Sequence, residues 1–144
     1  MRIEESVEIK LPPQVVFDYV ANPQNLPEWS GLAIEVKDAP EPLGEGDTFT
    51  AVGKFLGRRF ETPYERVSVE ASRHYTDRAV GGAVPDQDWT YTFEEMPAGT
   101  RLTRAVEGEP GGFFKLAEPL IERALERQVR TDLETLKDLL EARG

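Results

Sequence analysis

Ile3, Glu5, Val7, Ile9 and Leu11 alternate with Glu4, Ser6, Glu8 and Lys10, the period of two that marks a strand with one packed and one wet face. Pro12-Pro13 ends that run. Val15, Val16, Tyr19 and Val20 then follow at helical spacing, with Phe17 beside them, and a proline fits the first turn of the helix they predict. The helix ends at Asn22-Pro23, because a residue before proline avoids the α region. A second short helical turn is expected from Pro23 to Trp29. After Gly31 the texture changes to strand-like runs, at 33–38, 47–55, 58–70, 74–80, 88–95 and 100–107, separated by short clusters rich in glycine and proline. Trp89, Tyr91 and Phe93 share one face of their run and Thr90 and Thr92 the other, which is the clearest alternation in the chain. Short connections of hairpin length predict an antiparallel meander.

Gly108 to Gly112 reads as a flexible break. From 113 to 142 there is one proline and no glycine, and Leu, Glu, Arg and Ala dominate, so one long helix is expected, kinked at Pro119. Phe113, Ala117, Leu120, Ile121 and Ala124 fall on one side, and Leu125, Val129, Leu133, Leu136 and Leu140 further round the axis. Such a rotating stripe suits a helix laid across a twisted sheet. The expected fold is therefore α+β: about seven antiparallel strands curved around a long C-terminal helix, with two short helices after the first strand. No repeat or composition shift divides residues 1–144, which read as a single domain.

A strongly curled sheet and a single covering helix separate at one end, and the gap is either filled by large side chains or left as a cavity. Phe113, Phe114, Leu116 and Leu120, with Ala124 on the same stripe, would face Trp89, Tyr91 and Leu102 across it. Plain core packing is the commoner role of any one aromatic residue in such a place. A lined pocket with a few orienting polar groups is the functional alternative.

Composition narrows the classes of function. A formal net charge of −10 repels phosphate backbones and anionic membrane surfaces, so no nucleic-acid partner is expected. No stretch is long and apolar enough to cross a membrane, and stable membrane insertion is not expected. The start has no apolar core of a signal peptide, and the absence of cysteine suits a reducing compartment, so a cytoplasmic location is the expectation. One histidine and no thiol leave no pattern for zinc, and no metal or other cofactor is expected. The serines stand in no nucleophile-elbow context.

His74, the only histidine, is the first place to look for acid–base chemistry, although beside Arg73 near a turn it suits a surface role. Arg104 shares parity with Leu102 and Val106 and so faces inward. It either pairs with Glu107, Asp132 or another carboxylate, or clamps a ligand oxygen with its donor fork. Tyr64 and Tyr91 offer hydroxyls and Trp29 a cap for the mouth, although plain packing with a hydrogen-bonded polar tip is the commoner role for each; Gln128 and Asp132 are either polar groups facing the pocket or boundary residues touching solvent. Oligomeric state is not written in the pattern.

Ser6-Val7-Glu8-Ile9-Lys10-Leu11-Pro12-Pro13, the Val15 to Pro23 helix, Leu26-Pro27-Glu28-Trp29, and Gly99-Thr100-Arg101-Leu102-Thr103-Arg104 followed by Glu107-Gly108 resemble, in that order, the polyketide cyclase/dehydrase-like branch of the START and birch-allergen-like (SRPBCC) superfamily. The resemblance implies a helix-grip fold whose sheet and last helix enclose a cavity for a lipid, polyketide, quinone or other apolar molecule. It admits carriers and also cofactor-independent aromatase/cyclases or dehydratases. A third class, an interaction module with a filled core and an acidic docking face, is compatible with the same pattern.

Overall fold

The computed structural model describes residues 1–82, 87–108 and 118–144. Strand β1 (Arg2–Ile9) leads into α1 (Pro13–Val20), a 3-10 turn (Pro23–Asn25) and α2 (Leu26–Trp29). Six strands follow: β2 (Ala33–Lys37), β3 (Thr48–Phe55), β4 (Arg58–Glu70), β5 (His74–Ala79), β6 (Asp88–Met96) and β7 (Gly99–Glu107). The last described element is α3 (Glu118–Arg143). The strands form one antiparallel sheet in the order β1-β7-β6-β5-β4-β3-β2. The final strand thus pairs with the first, and each other neighbouring pair is consecutive in the chain.

The expected strands and the helices after the first strand are present, with bounds shifted by a residue or two, and the last helix ends within a residue of its expected end. Pro13 opens α1, where a missing N–H costs nothing, and the Ala21 N–H closes it on the Phe17 carbonyl. Asn22 caps the next turn, its Oδ1 accepting from the Gln24 N–H at 3.0 Å. Two bulges, in β2 between Ala33 and Glu35 and in β4 between Arg66 and Ser68, add the bend that curls the sheet.

The β6–β7 hairpin shows why its glycine matters. Gly99 has φ 152°, and a Cβ there would sit 2.1 Å from the Ile9 carbonyl oxygen. Gly99→Ala is expected to cost about 1–3 kcal/mol, by urea denaturation, because the strain falls on backbone that cannot move aside.

The core lies between the concave face of the sheet and α3. Its centre is Leu102, Val106, Val129, Leu133 and Leu136, each exposed by 1% or less, and each such side chain contributes about 1.5–3 kcal/mol of transfer free energy. Helix α3 runs closest to β1 and α2. Its buried apolar residues are Ile121, Leu125, Val129, Leu133, Leu136 and Leu140, with Asp132 buried beside them. Steps of four drift about 40° round the axis, and the single step of three, Leu133 to Leu136, turns the row back by about 60°, so from Ile121 to Leu140 the buried row moves round by about 100°. The placement of Leu120 is what the structure corrects. Leu120, about 100° from Ile121, falls outside the row and is 69% exposed. The expected fillers Phe113, Phe114 and Leu116, with Ala117, the 109–112 part of the break and the chain entering Pro119, lie outside the described residues.

Candidate functional site

Beyond the core, towards β3 and β4, sheet and helix part. A cavity of about 120 Å³ opens there, lined by Leu32, Ala51, Phe60, Tyr64, Trp89 and Leu125 among others. A smaller inner chamber of about 70 Å³ shares Leu32, Ala51, Tyr64 and Trp89 with it and ends on Ser30, Asp77, Tyr91 and Arg104. The outer chamber is mainly aliphatic and aromatic; the inner one carries charge.

The inward parity of β7 buries Arg104 to 3% exposure. Its Nε donates to the Tyr91 hydroxyl at 3.0 Å and its Nη1 to Asp132 Oδ2 at 3.0 Å. The guanidinium carbon lies 4.4 Å from the ring centre of Trp89 and 4.8 Å from that of Trp29, so the cation is held between two indoles. Asp132 accepts further hydrogen bonds from Ser30 Oγ at 2.7 Å, the Gly31 N–H at 2.9 Å and Gln128 Nε2 at 2.7 Å. A Cβ on Gly31 would meet Gln128 Nε2 at 2.6 Å, which is why the cradle of Asp132 has a glycine in it.

A second buried pair stands beside the first. Arg66 Nε and Nη2 donate to the two oxygens of Asp77 at 2.8 and 3.0 Å, and Nη1 to the Ala21 carbonyl at 2.8 Å. Arg66 thus makes a forked pair with Asp77, and a donation from each of its three nitrogens ties β4 and β5 to the end of α1. Arg104 differs. Its bond to Asp132 is single, and its Nη2 donates to no group among the described residues. The Tyr91 hydroxyl accepts from Arg104, and its own hydrogen likewise meets no acceptor there.

Electrostatics keep these groups in donor form. Burial pushes the Tyr64 and Tyr91 phenols above their usual value, so both stay protonated near neutrality. Burial works against the charge of Arg104, but Tyr91 and Asp132 outweigh it and hold the guanidinium above its ordinary pKa. Burial also raises the Asp77 carboxyl, against the hydrogen bonds of Arg66.

Among the residues singled out from sequence, Tyr64, Trp89, Tyr91 and Arg104 line the cavity. Tyr64 donates to Gln87 Oε1 at 2.8 Å and Trp89 Nε1 to the same oxygen at 2.9 Å. Of the carboxylates weighed for Arg104, Asp132 is the partner; Glu107 instead pairs with Arg2 on the exposed face. Asp132 is buried at 1% exposure, while Gln128 is half-buried and also borders an outer groove. Trp29 corrects the expectation of a cap at the mouth. It is 2% exposed and lies behind Arg104, because α2 tucks it against Tyr91, and its indole N–H has no partner among the described residues.

Leu102 packs in the core at 0% exposure and does not line the cavity. Leu120 points to solvent. Ala124 borders a separate groove with Phe55, Leu56 and Gln128. Phe113 and Leu116 lie outside the described residues. His74 sits on the surface, its side chain 42% exposed and 3.3 Å from Glu70, away from both chambers. His74→Ala is expected to change stability by less than about 0.5 kcal/mol and to leave ligand binding untouched, as a paired urea melt and ligand titration would show.

Sequence reasoning missed the Arg66–Asp77 pair and Gln87. The parity of Tyr75, Asp77 and Ala79 in β5 carries a signal for Asp77. In β4 the bulge after Arg66 changes which residues face inward, and that change has no sequence mark.

The chain matches over residues 1–141 the family model described as polyketide cyclase / dehydrase and lipid transport. It belongs to that family. Proteins of this helix-grip family generally bind apolar ligands in a cavity between sheet and helix. The uncharacterized protein Rv2574 of Mycobacterium tuberculosis is 29% identical over 134 residues, which span 87% of this chain and 78% of that one. TTHA0849 from Thermus thermophilus superposes with a TM-score of 0.86 at 17% identity, covering 100% of this chain and 99% of the other. The Zhui aromatase/cyclase from Streptomyces sp. R1128 gives 0.79 at 17% identity, covering 99% and 94%. At such identities the likeness is one of fold. The shared fold is the seven-stranded grip on α3.

Proposed function

We propose that this domain binds and carries one apolar small molecule in the cavity between α3 and strands β3, β4 and β6. The observation that carries the reading is the outer chamber, where Leu32, Phe60, Ile121 and Leu125 meet the faces of Tyr64 and Trp89 without a charged pair among them. Sites of this kind gain affinity from apolar area and orientation from a few polar groups. The test is native mass spectrometry of protein purified from its own host, followed by extraction of what co-purifies. A discrete apolar molecule at one per chain supports the reading; ligand-free protein under conditions that preserve lipid complexes counts against a carrier.

A second reading is an enzyme acting on a polyketide-like chain, favoured by one observation. Tyr91, Arg104 and the Asp77 carboxylate line the same inner chamber. Two donors there would polarise a carbonyl, as in other preorganised sites. Turnover of a β-keto thioester by the purified protein, followed by mass spectrometry, distinguishes this reading from simple carriage.

A further inference from the structure

Although the formal net charge is −10, one face of the fold is basic. The β3–β4 hairpin places Lys54 directly opposite Arg59, and both are exposed. Like charges facing each other across a strand pair repel. Arg127 of α3 borders the same outer groove as Lys54 and Leu56, and Arg123 stands one turn before it on the same helical face. Most other arginines and lysines of the described residues hold a carboxylate, as Arg2, Arg78, Arg101 and Arg130 do. Lys54, Arg59, Arg123 and Arg127 hold none among the described residues. Glu122 and Glu126 fall about 100° or more round the axis of α3 from Arg127. Glu126 is taken by Arg130 at 3.3 Å.

The tip of the hairpin adds an apolar group. Leu56 has φ 50° and Gly57 φ 77°, the two left-handed residues of a tight hairpin turn. Such a turn favours asparagine, aspartate or glycine at its first position, and a leucine is strained there. Leu56 is 53% exposed, so packing offsets little of that strain.

We propose that the β3–β4 hairpin and the facing turns of α3 dock reversibly on an anionic lipid bilayer. Leu56 enters the interface, and Lys54, Arg59, Arg123 and Arg127 meet lipid phosphates. An aliphatic tip flanked by cations matches a surface that is negative above and apolar below. A folded partner would need a pocket shaped for one protruding leucine; a bilayer needs none. The acidic remainder of the chain does not cancel the attraction, because charges beyond about 8 Å are screened at physiological salt. Each lysine or arginine near an anionic surface strengthens adsorption about fivefold, and four together strengthen it by about several hundredfold. That strength suits peripheral docking and needs no spanning segment. The docking face does not depend on what the cavity holds, so it stands or falls apart from the carrier reading.

Flotation of the unmodified protein with phosphatidylcholine vesicles, with and without an equal share of phosphatidylglycerol, is the test. Binding should be at least about tenfold stronger to the mixed vesicles and should fall as salt is raised. K54Q/R59Q should weaken it about 25-fold, the effect of two cations. Lys10→Gln, at a residue bordering a different groove, should leave it within about twofold. Leu56→Asn is the sharper variant, because asparagine suits the turn better than leucine. Its melting temperature should hold or rise while vesicle binding weakens about fivefold. A lower melting temperature with unchanged binding would mean that Leu56 serves the fold alone, and would overturn the proposal. Equal binding to both kinds of vesicle, or binding to neither, would overturn it as well. A short DNA duplex bound as tightly as the mixed vesicles, and indifferent to Leu56→Asn, would make the face a general polyanion site instead. The vesicle comparison uses the unmodified protein, so it decides the matter whatever the variants do to folding.

Discussion

Replacing Asp132 by alanine is expected to destabilise the fold by about 3–5 kcal/mol, the range seen when one partner of a buried ion pair is removed. The loss has two parts. Arg104, at 3% exposure, would keep its charge with no carboxylate to face it. Ser30 Oγ, the Gly31 N–H and Gln128 Nε2 would lose their shared acceptor in the same step. In a domain of this length each kcal/mol corresponds to several degrees, so the melting temperature should fall by about 10 °C or more. R104L/D132N should cost clearly less than Asp132→Ala, because it removes both charges and keeps an amide oxygen in the cradle. The pair of urea melts thus separates the cost of an unmatched charge from the worth of the pair itself. A loss under about 1 kcal/mol for Asp132→Ala would mean that water reaches Arg104 and solvates it.

The contrast between Arg104 and Leu120 shows how far a sequence can be read. Parity alone places Arg104 inward, since strand alternation is rigid and β7 has no bulge. The same logic finds Trp89, Tyr91 and Phe93, and it sets every strand to within a residue or two. Helical faces are less sharply determined. Leu120 and Ile121 are adjacent, and only the packed structure shows that Ile121 belongs to the buried row. Trp29 departs from expectation for a different reason. A four-residue helix has no periodicity to read, and the direction of α2 is set by its contacts with α3 and β2. The Arg66–Asp77 pair needs long-range register, Arg66 opposite Asp77 across β4 and β5, which a bulge hides from pattern reasoning. Local patterns thus locate the layers. The chemistry of the inner chamber, built from α2 and six strands with Asp132 of α3 behind Arg104, depends on how those layers meet.

That dependence makes cavity filling the decisive manipulation for binding. Ala51, in the middle of β3 opposite Val36 and Thr62, borders both chambers. Ala51→Trp would project an indole into the space an apolar ligand needs, and binding of the co-purified apolar ligand should weaken by about a hundredfold or more, an effect of about 2.7 kcal/mol or greater. Stability should change far less than for Asp132→Ala. Overpacking a tight core costs about 1–3 kcal/mol, but here the added ring fills empty volume and gains contacts that offset the strain. Leu120→Trp is the matched control, because Leu120 is 69% exposed and its replacement leaves both chambers as they are. The sequence pattern alone would single out Leu120 as the residue to block the site. If Ala51→Trp abolishes binding and Leu120→Trp does not, the ligand sits between β3 and α3, where the two layers part. If both variants bind like the parent, the molecule is held elsewhere and the cavity is a packing gap. Binding lost in Leu120→Trp but kept in Ala51→Trp would put the ligand on the outer surface of α3, and the carrier reading would have to be rebuilt from there.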